Sequence, residues 1–242
     1  MYQKIPFLTE KLKTAHEDAW RQIAGPGDFF SGEERIEMVR ATRDADGCEL
    51  TIARKNSISP FAVSGEYVGN YLLDSNAIDV IRRIASDPGR LTKAWFDQVI
   101  ANGLAPEEYV EVVSVVTTSI IIDTLHQALG LAQPPLPKAR EGNPRKVLNS
   151  EAIEIGAWLP VLDVPTQTAD HGLPKVPNIA RSLGLVPSAL QLFFGTFSPH
   201  YSLSNIQSSL SQDQAEFVAV SYTHLRAHET KANLVCRLLL EK

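Results

Sequence analysis

Cys48 is the first residue in this chain whose type and position suggest chemistry. It follows the turn Asp46-Gly47 and opens a short helical pattern that Ser59-Pro60 stops. A thiol at the start of a helix has its thiolate favoured by the helix dipole and by free backbone N–H groups. The bland alternative is a small buried apolar residue. Glu108 and Glu111 fall on one face of a long helical pattern. They read either as a proton-holding pair or as first-turn acids favoured by the dipole. Asp123 and His126, three residues apart, read as an oriented imidazole or as a structural pair. Glu216 alone reads as a solvated helix residue. His171 and His200 stand in loop-like stretches without partners at metal-ligand spacing. Gly25-Pro26-Gly27 is a turn and not a phosphate loop, since no Lys-Ser/Thr follows it. No nucleophile elbow or zinc-protease motif occurs. Neither a metal nor a cofactor is expected.

The elements that must position these residues read as helices. Leu8, Leu12, Ala15, Ala19 and Ile23 recur at helical spacing, which predicts a helix over Phe7 to Ala24 that Gly25-Pro26-Gly27 ends. Ser31 with Glu34 forms a capping-box pattern, starting a helix from about Gly32 to Ala45. Asn76 to Ala85 and Leu91 to Ala101 follow, separated by Asp87-Pro88-Gly89. The longest element runs from Pro106-Glu107-Glu108 to Gly130. Its centre, Val110 to Ile122, is crowded with β-branched residues that favour strands. Some two dozen residues between a Pro start and a Gly stop exceed an ordinary strand, so helix is the reading. Glu111 and Asp123 leave too short an uncharged stretch for a membrane span. A helix apolar on nearly all sides is a central buried one. Eight prolines lie between Gln133 and Pro177, which marks a linker. Helical pattern resumes at Asn178 to Leu183 and Pro187 to Phe194. Ser211 with Gln214 then repeats the capping-box pattern of Ser31 with Glu34, which suggests two similar halves.

The last stretch has a different texture. Val220 to Thr230, VSYTHLRAHET, resembles the in-frame translation of a common transposase adapter used in sequencing. Leu234 to Leu240, LVCRLLL, resembles its downstream flow-cell segment, with room for an index between them. Residues 220–242 are therefore expected to be an adapter artefact outside the fold, and the second half is expected to be truncated at about Ala219. The tail carries four of the basic residues and two of the acidic ones, so the chain's charge of −5 becomes −7 for residues 1–219. Cys236 goes with the tail and leaves Cys48 alone, which excludes an internal disulfide and a Cys-rich zinc site. An acidic chain with scattered bases argues against nucleic acid as a partner. Met1 to Glu10 has no apolar core of leader length, so the cytoplasm is the expected compartment.

Several stretches together resemble one family. Asp87-Pro88-Gly89-Arg90-Leu91-Thr92, then Ala94-Trp95, then Glu107 to Val113 and Ala128-Leu129-Gly130-Leu131 are similar to the alkylhydroperoxidase D-like branch of the carboxymuconolactone decarboxylase superfamily. Arg54 to Pro60 fits the same branch. The resemblance implies an all-α helical bundle of two similar halves, usually a homo-oligomer. The halves would be residues 1–132 and 178–219, joined by the linker 133–177. It also implies a thiol peroxidase that takes a small hydroperoxide and a thiol reductant. The family's active motif is a Glu, a Cys-x-x-Cys pair and a following His. In the first half these positions hold Ile36, Cys48, Thr51 and Lys55, so three of the four are replaced. In the second half Glu216 takes the Glu position, and the cysteine pair would fall inside the tail. The chain as given is expected to be inactive for that reason. The alternatives are a decarboxylase-like enzyme, since the superfamily hosts both activities, and a non-catalytic helical oligomerisation scaffold.

Overall fold

A computed structural model describes residues 1–2, 5–163, 176, 178–200, 210–211, 213–214 and 217–218. Glu216, His171 and the adapter-like residues 220–242 lie outside the described residues. The architecture is helical, with α1 (Glu10–Ile23), α2 (Gly32–Arg43), α3 (Glu49–Asn56), α4 (Ser75–Ser86), α5 (Lys93–Ala101), α6 (Pro106–Ala128), α7 (Asn178–Leu183) and α8 (Pro187–Phe197). The only sheet among the described residues is a ribbon of β1 (Ala152–Ile153) antiparallel to β2 (Val161–Leu162), inside the proline-rich stretch.

Local signals explain the helix ends. Thr9, Asp74 and Thr92 cap α1, α4 and α5 with side-chain oxygens. Ser31 and Glu34 form the expected reciprocal box at α2. Ser211 and Gln214 form one too, with Ser211 N donating to Gln214 Oε1 at 3.0 Å and Gln214 N to Ser211 Oγ at 3.3 Å. The predicted helix beginning at Leu91 starts later, at Lys93, because Pro88–Arg90 tightens into a 3-10 turn. α3 stops at Asn56, before the Ser59-Pro60 break.

α6 forms as a helix despite its valines and isoleucines. Pro106 presets the first turn, and the Glu108 carboxylate accepts from Ala105 N at 3.0 Å. At the other end Gly130 adopts φ +66°, and Leu131 N returns to His126 O at 2.8 Å. α6 is long and apolar enough to cross a membrane by length and composition alone, but it is the core helix of the bundle. α2, α4 and α8 pack around it. Val112, Val115, Val116 and Ile122 are fully buried, in one core with Met38, Val39, Ile78, Ile81, Ala189 and Leu192. Burial of each such side chain contributes roughly 1.5–3 kcal/mol, which overrides the β preference of the sequence. The core thus runs without a break from α2 into α8.

Candidate functional site

Cys48 is the N-cap residue of α3 and is half-buried. Burial pushes its thiol up, but opposing effects together outweigh it. The Thr51 hydroxyl and N–H, the Arg82 guanidinium and the Leu50 N–H all favour the thiolate, and the thiol is held below its ordinary value. Thr51 Oγ1 is buried and has no other hydrogen-bond partner, and the same is true of Arg82 Nε. The rest of the Arg82 fork is fixed by Asp44 O at 2.8 Å and by the Tyr71 hydroxyl at 2.6 Å. A buried hydroxyl left without an acceptor carries a cost, which an anionic sulfur beside it would relieve. Of the other motif positions in this half, Ile36 is buried in the core and Lys55 is exposed. Cys48 and Thr51 are therefore brought together, and no proton carrier stands at the other two.

The cations nearest this corner are committed to structure. Arg54 and Arg83 clamp Asp79, which also accepts from the Tyr67 hydroxyl and Trp95 Nε1. Arg90 donates to the carbonyls of Ser57, Arg54 and Lys55 and so closes the end of α3. An open, polar groove of about 470 Å³ lies between α2, α4 and the second half of α6, with Arg43, Asp46, Asp123 and Gln127 among its walls.

Two of the sequence expectations need correction. Glu111 is not a first-turn acid but a buried carboxylate with 1% of its surface exposed. Its Oε2 accepts from the N–H groups of Asp28 at 3.1 Å and Phe29 at 2.7 Å, while Oε1 lies 3.3 Å from Arg35 Nε. The chain just after the Gly25-Pro26-Gly27 turn, at Asp28 and Phe29, thus holds one of the protein's own carboxylates. Burial outweighs Arg35 and these N–H groups, so the Glu111 carboxyl is held above its usual value. Asp28 continues the cluster to Arg145, 3.0 Å away, and to the Ser188 hydroxyl of α8. Asp123, for its part, does not orient His126. It takes a bidentate pair of bonds from Arg43, both 2.8 Å.

His126 belongs to a cluster that the sequence did not suggest. Its Nδ1 lies 2.9 Å from Ile122 O and 3.2 Å from the Tyr2 hydroxyl. That hydroxyl lies 2.5 Å from His16 Nδ1, and His16 Nε2 lies 2.6 Å from His200 Nε2. His16 sits on the buried stripe of α1 between Leu12 and Trp20. A histidine at that spacing was the available signal. Among the described residues no group of three or more His, Cys, Asp and Glu side chains is arranged to hold a metal.

No family model, curated protein or solved structure matches the chain. Fold and site together define a helical bundle in which the one cysteine among the described residues, Cys48, stands at the head of a short helix.

Proposed function

We propose that this chain belongs to a thiol-dependent peroxidase-type oxidoreductase of the alkylhydroperoxidase D-like kind, with residues 1–132 as one helical half and 178–219 as part of a second. In this reading Cys48 is a single-thiol site that reacts with a small hydroperoxide. The observation that carries it is the place of Cys48 as N-cap of α3, beside the buried Thr51 hydroxyl, which has no other hydrogen-bond partner and helps hold the thiol below its ordinary value. The thiolate sulfur attacks the outer peroxide oxygen, the O–O bond breaks, and the alkoxide leaves and takes a proton as the alcohol. Sulfur is oxidised by two electrons to a sulfenic acid and the peroxide is reduced by two. Thr51 has no sulfur with which to resolve it. An external thiol must condense with the sulfenic acid, releasing water, and a second must reduce the mixed disulfide. Proton delivery in the second half is assigned to Glu216. A homo-oligomer is the expected assembly.

Trapping with a sulfenic-acid-selective dione after one addition of alkyl hydroperoxide tests the proposal. The expected product is one adduct per chain, at Cys48, absent in Cys48→Ser. A second reading, the non-catalytic helical scaffold, is favoured by the core position of Ile36 and the exposure of Lys55. Under that reading Cys48 reacts no faster than a free cysteine and no adduct accumulates.

A further inference from the structure

The protons of the histidine cluster can be assigned from its hydrogen-bond network. A carbonyl oxygen only accepts, so His126 Nδ1, 2.9 Å from Ile122 O, carries hydrogen. The Tyr2 oxygen, 3.2 Å from the same Nδ1, therefore accepts there and spends its own hydrogen on His16 Nδ1. With Nδ1 accepting, His16 is protonated on Nε2 and donates to His200 Nε2, 2.6 Å away. His200 then holds its hydrogen on Nδ1. One arrangement of neutral rings satisfies every link. A proton added to His200 or His16 breaks it, because His200 Nε2–H would face His16 Nε2–H, and His16 Nδ1–H would face the Tyr2 hydroxyl.

We propose that Tyr2, His16, His126 and His200 form an acid-released latch, which fastens the amino terminus and the end of α8 to α1 and α6 while the His16 and His200 rings are neutral. The chain joins four separate parts of the fold: the first residues, α1, α6 and the turn that follows α8. His16 is fully buried, His126 is 3% exposed, and His200 is the exposed member through which a proton enters. Among the described residues, the carboxylates that face these rings already have partners. Glu17 of α1 is held by the Met1 ammonium at 3.0 Å, and Asp123 of α6 by Arg43 of α2. Neither carboxylate is free to offset a new imidazolium. Burial, followed by the charges of His200 and His126, holds His16 down at about 3, and the partial desolvation of the His200 ring where it meets His16 lowers that ring as well. A histidine kept neutral when closed and free to ionise when open favours opening about tenfold per pH unit below about 6.5. Between pH 6.5 and 4.5 His16 alone shifts the latch about fiftyfold.

Amide hydrogen exchange on the full chain from pH 7.5 to 4.5, corrected for intrinsic chemistry, reads the latch at Ile5, Ser198 and His200. Their N–H groups donate to Tyr2 O, Phe194 O and Phe197 O. Protection there is expected to fall about tenfold per unit below pH 6.5, while α4 amides stay level. In His16→Gln, neutral at every pH, the response from pH 6.5 to 4.5 should shrink at least tenfold. If that variant does not fold, His200→Gln at the exposed end is read by the same criterion. A flat wild-type profile, or the same profile in wild type and variant, overturns the proposal. So does nitrogen NMR that finds the neutral His16 proton on Nδ1.

Discussion

A methyl group added at Gly27 would lie 1.6 Å from Glu111 Oε1, a distance no side chain tolerates. The glycine is what lets the turn close over the carboxylate and aim two N–H groups at it. Gly27→Ala should therefore cost about 3 kcal/mol or more, since the displaced charge is left buried without partners. Gly89→Ala, which meets nothing within 4 Å, should shift stability by no more than about 0.5 kcal/mol. Urea midpoints of the two variants check the contrast. At Cys48 the prediction concerns reactivity. The pH midpoint of alkylation should lie below that of free cysteine, and Thr51→Val should raise it. An unchanged midpoint in Thr51→Val would remove the hydroxyl from the account. The sequence placed Cys48 at a helix start, where the structure has it, because the Asp46-Gly47 turn announces that start. It named Glu111 only beside Glu108 and did not single out His16, because their partners, Arg35 and Tyr2, lie far off in sequence and come near only in the fold.

Among the elements, α6 shows how length overrides propensity. A run rich in valine and isoleucine became a helix because Pro106 and Gly130 bound it and its neighbours bury it. Both signals were legible in the sequence. The β1/β2 ribbon was not, since two-residue strands leave no alternation to read. The Arg35–Glu111 pair ties α2 to α6, and Arg35→Met should cost about 3–5 kcal/mol by leaving the buried carboxylate without its cation, with only the Asp28 and Phe29 N–H groups to hold it. Calorimetry or urea titration reads that loss. His16 makes the packing of α1 pH-dependent in a definite direction. Its folded value of about 3 lies below the ordinary 6.5, so the stability it contributes is full above pH 6.5 and is lost as pH falls towards 3. The loss is about 1.4 kcal/mol per unit, or about 2 kcal/mol at pH 5. Urea midpoints at pH 7 and 5 should differ by that amount more in wild type than in His16→Gln.

For the whole molecule, one continuous core joins α2, α4, α6 and α8 across the proline-rich stretch. The helical class was legible in the spacing of apolar residues. The unbroken core was not, because the prolines between Gln133 and Pro177 read as a divider, whereas Arg140, Arg145 and Lys146 lie back along the Ala24–Asp28 turn through backbone bonds of 2.7–3.2 Å. The adapter-like tail makes a separate prediction. Independently prepared DNA from the same gene should encode other residues from about Val220, and recovery of the same codons would contradict the adapter origin.

The central claim, that Cys48 is a peroxide-reactive thiol without a resolving partner, is tested most directly by hydroperoxide consumption. Reduced chain is mixed with excess alkyl hydroperoxide, with no thiol present, and the peroxide consumed is followed beside Cys48→Ser. The account predicts a rapid loss of one equivalent per chain through Cys48, absent in the variant, and no rapid further turnover. Consumption no faster than by free cysteine, or equal consumption by Cys48→Ser, would contradict it.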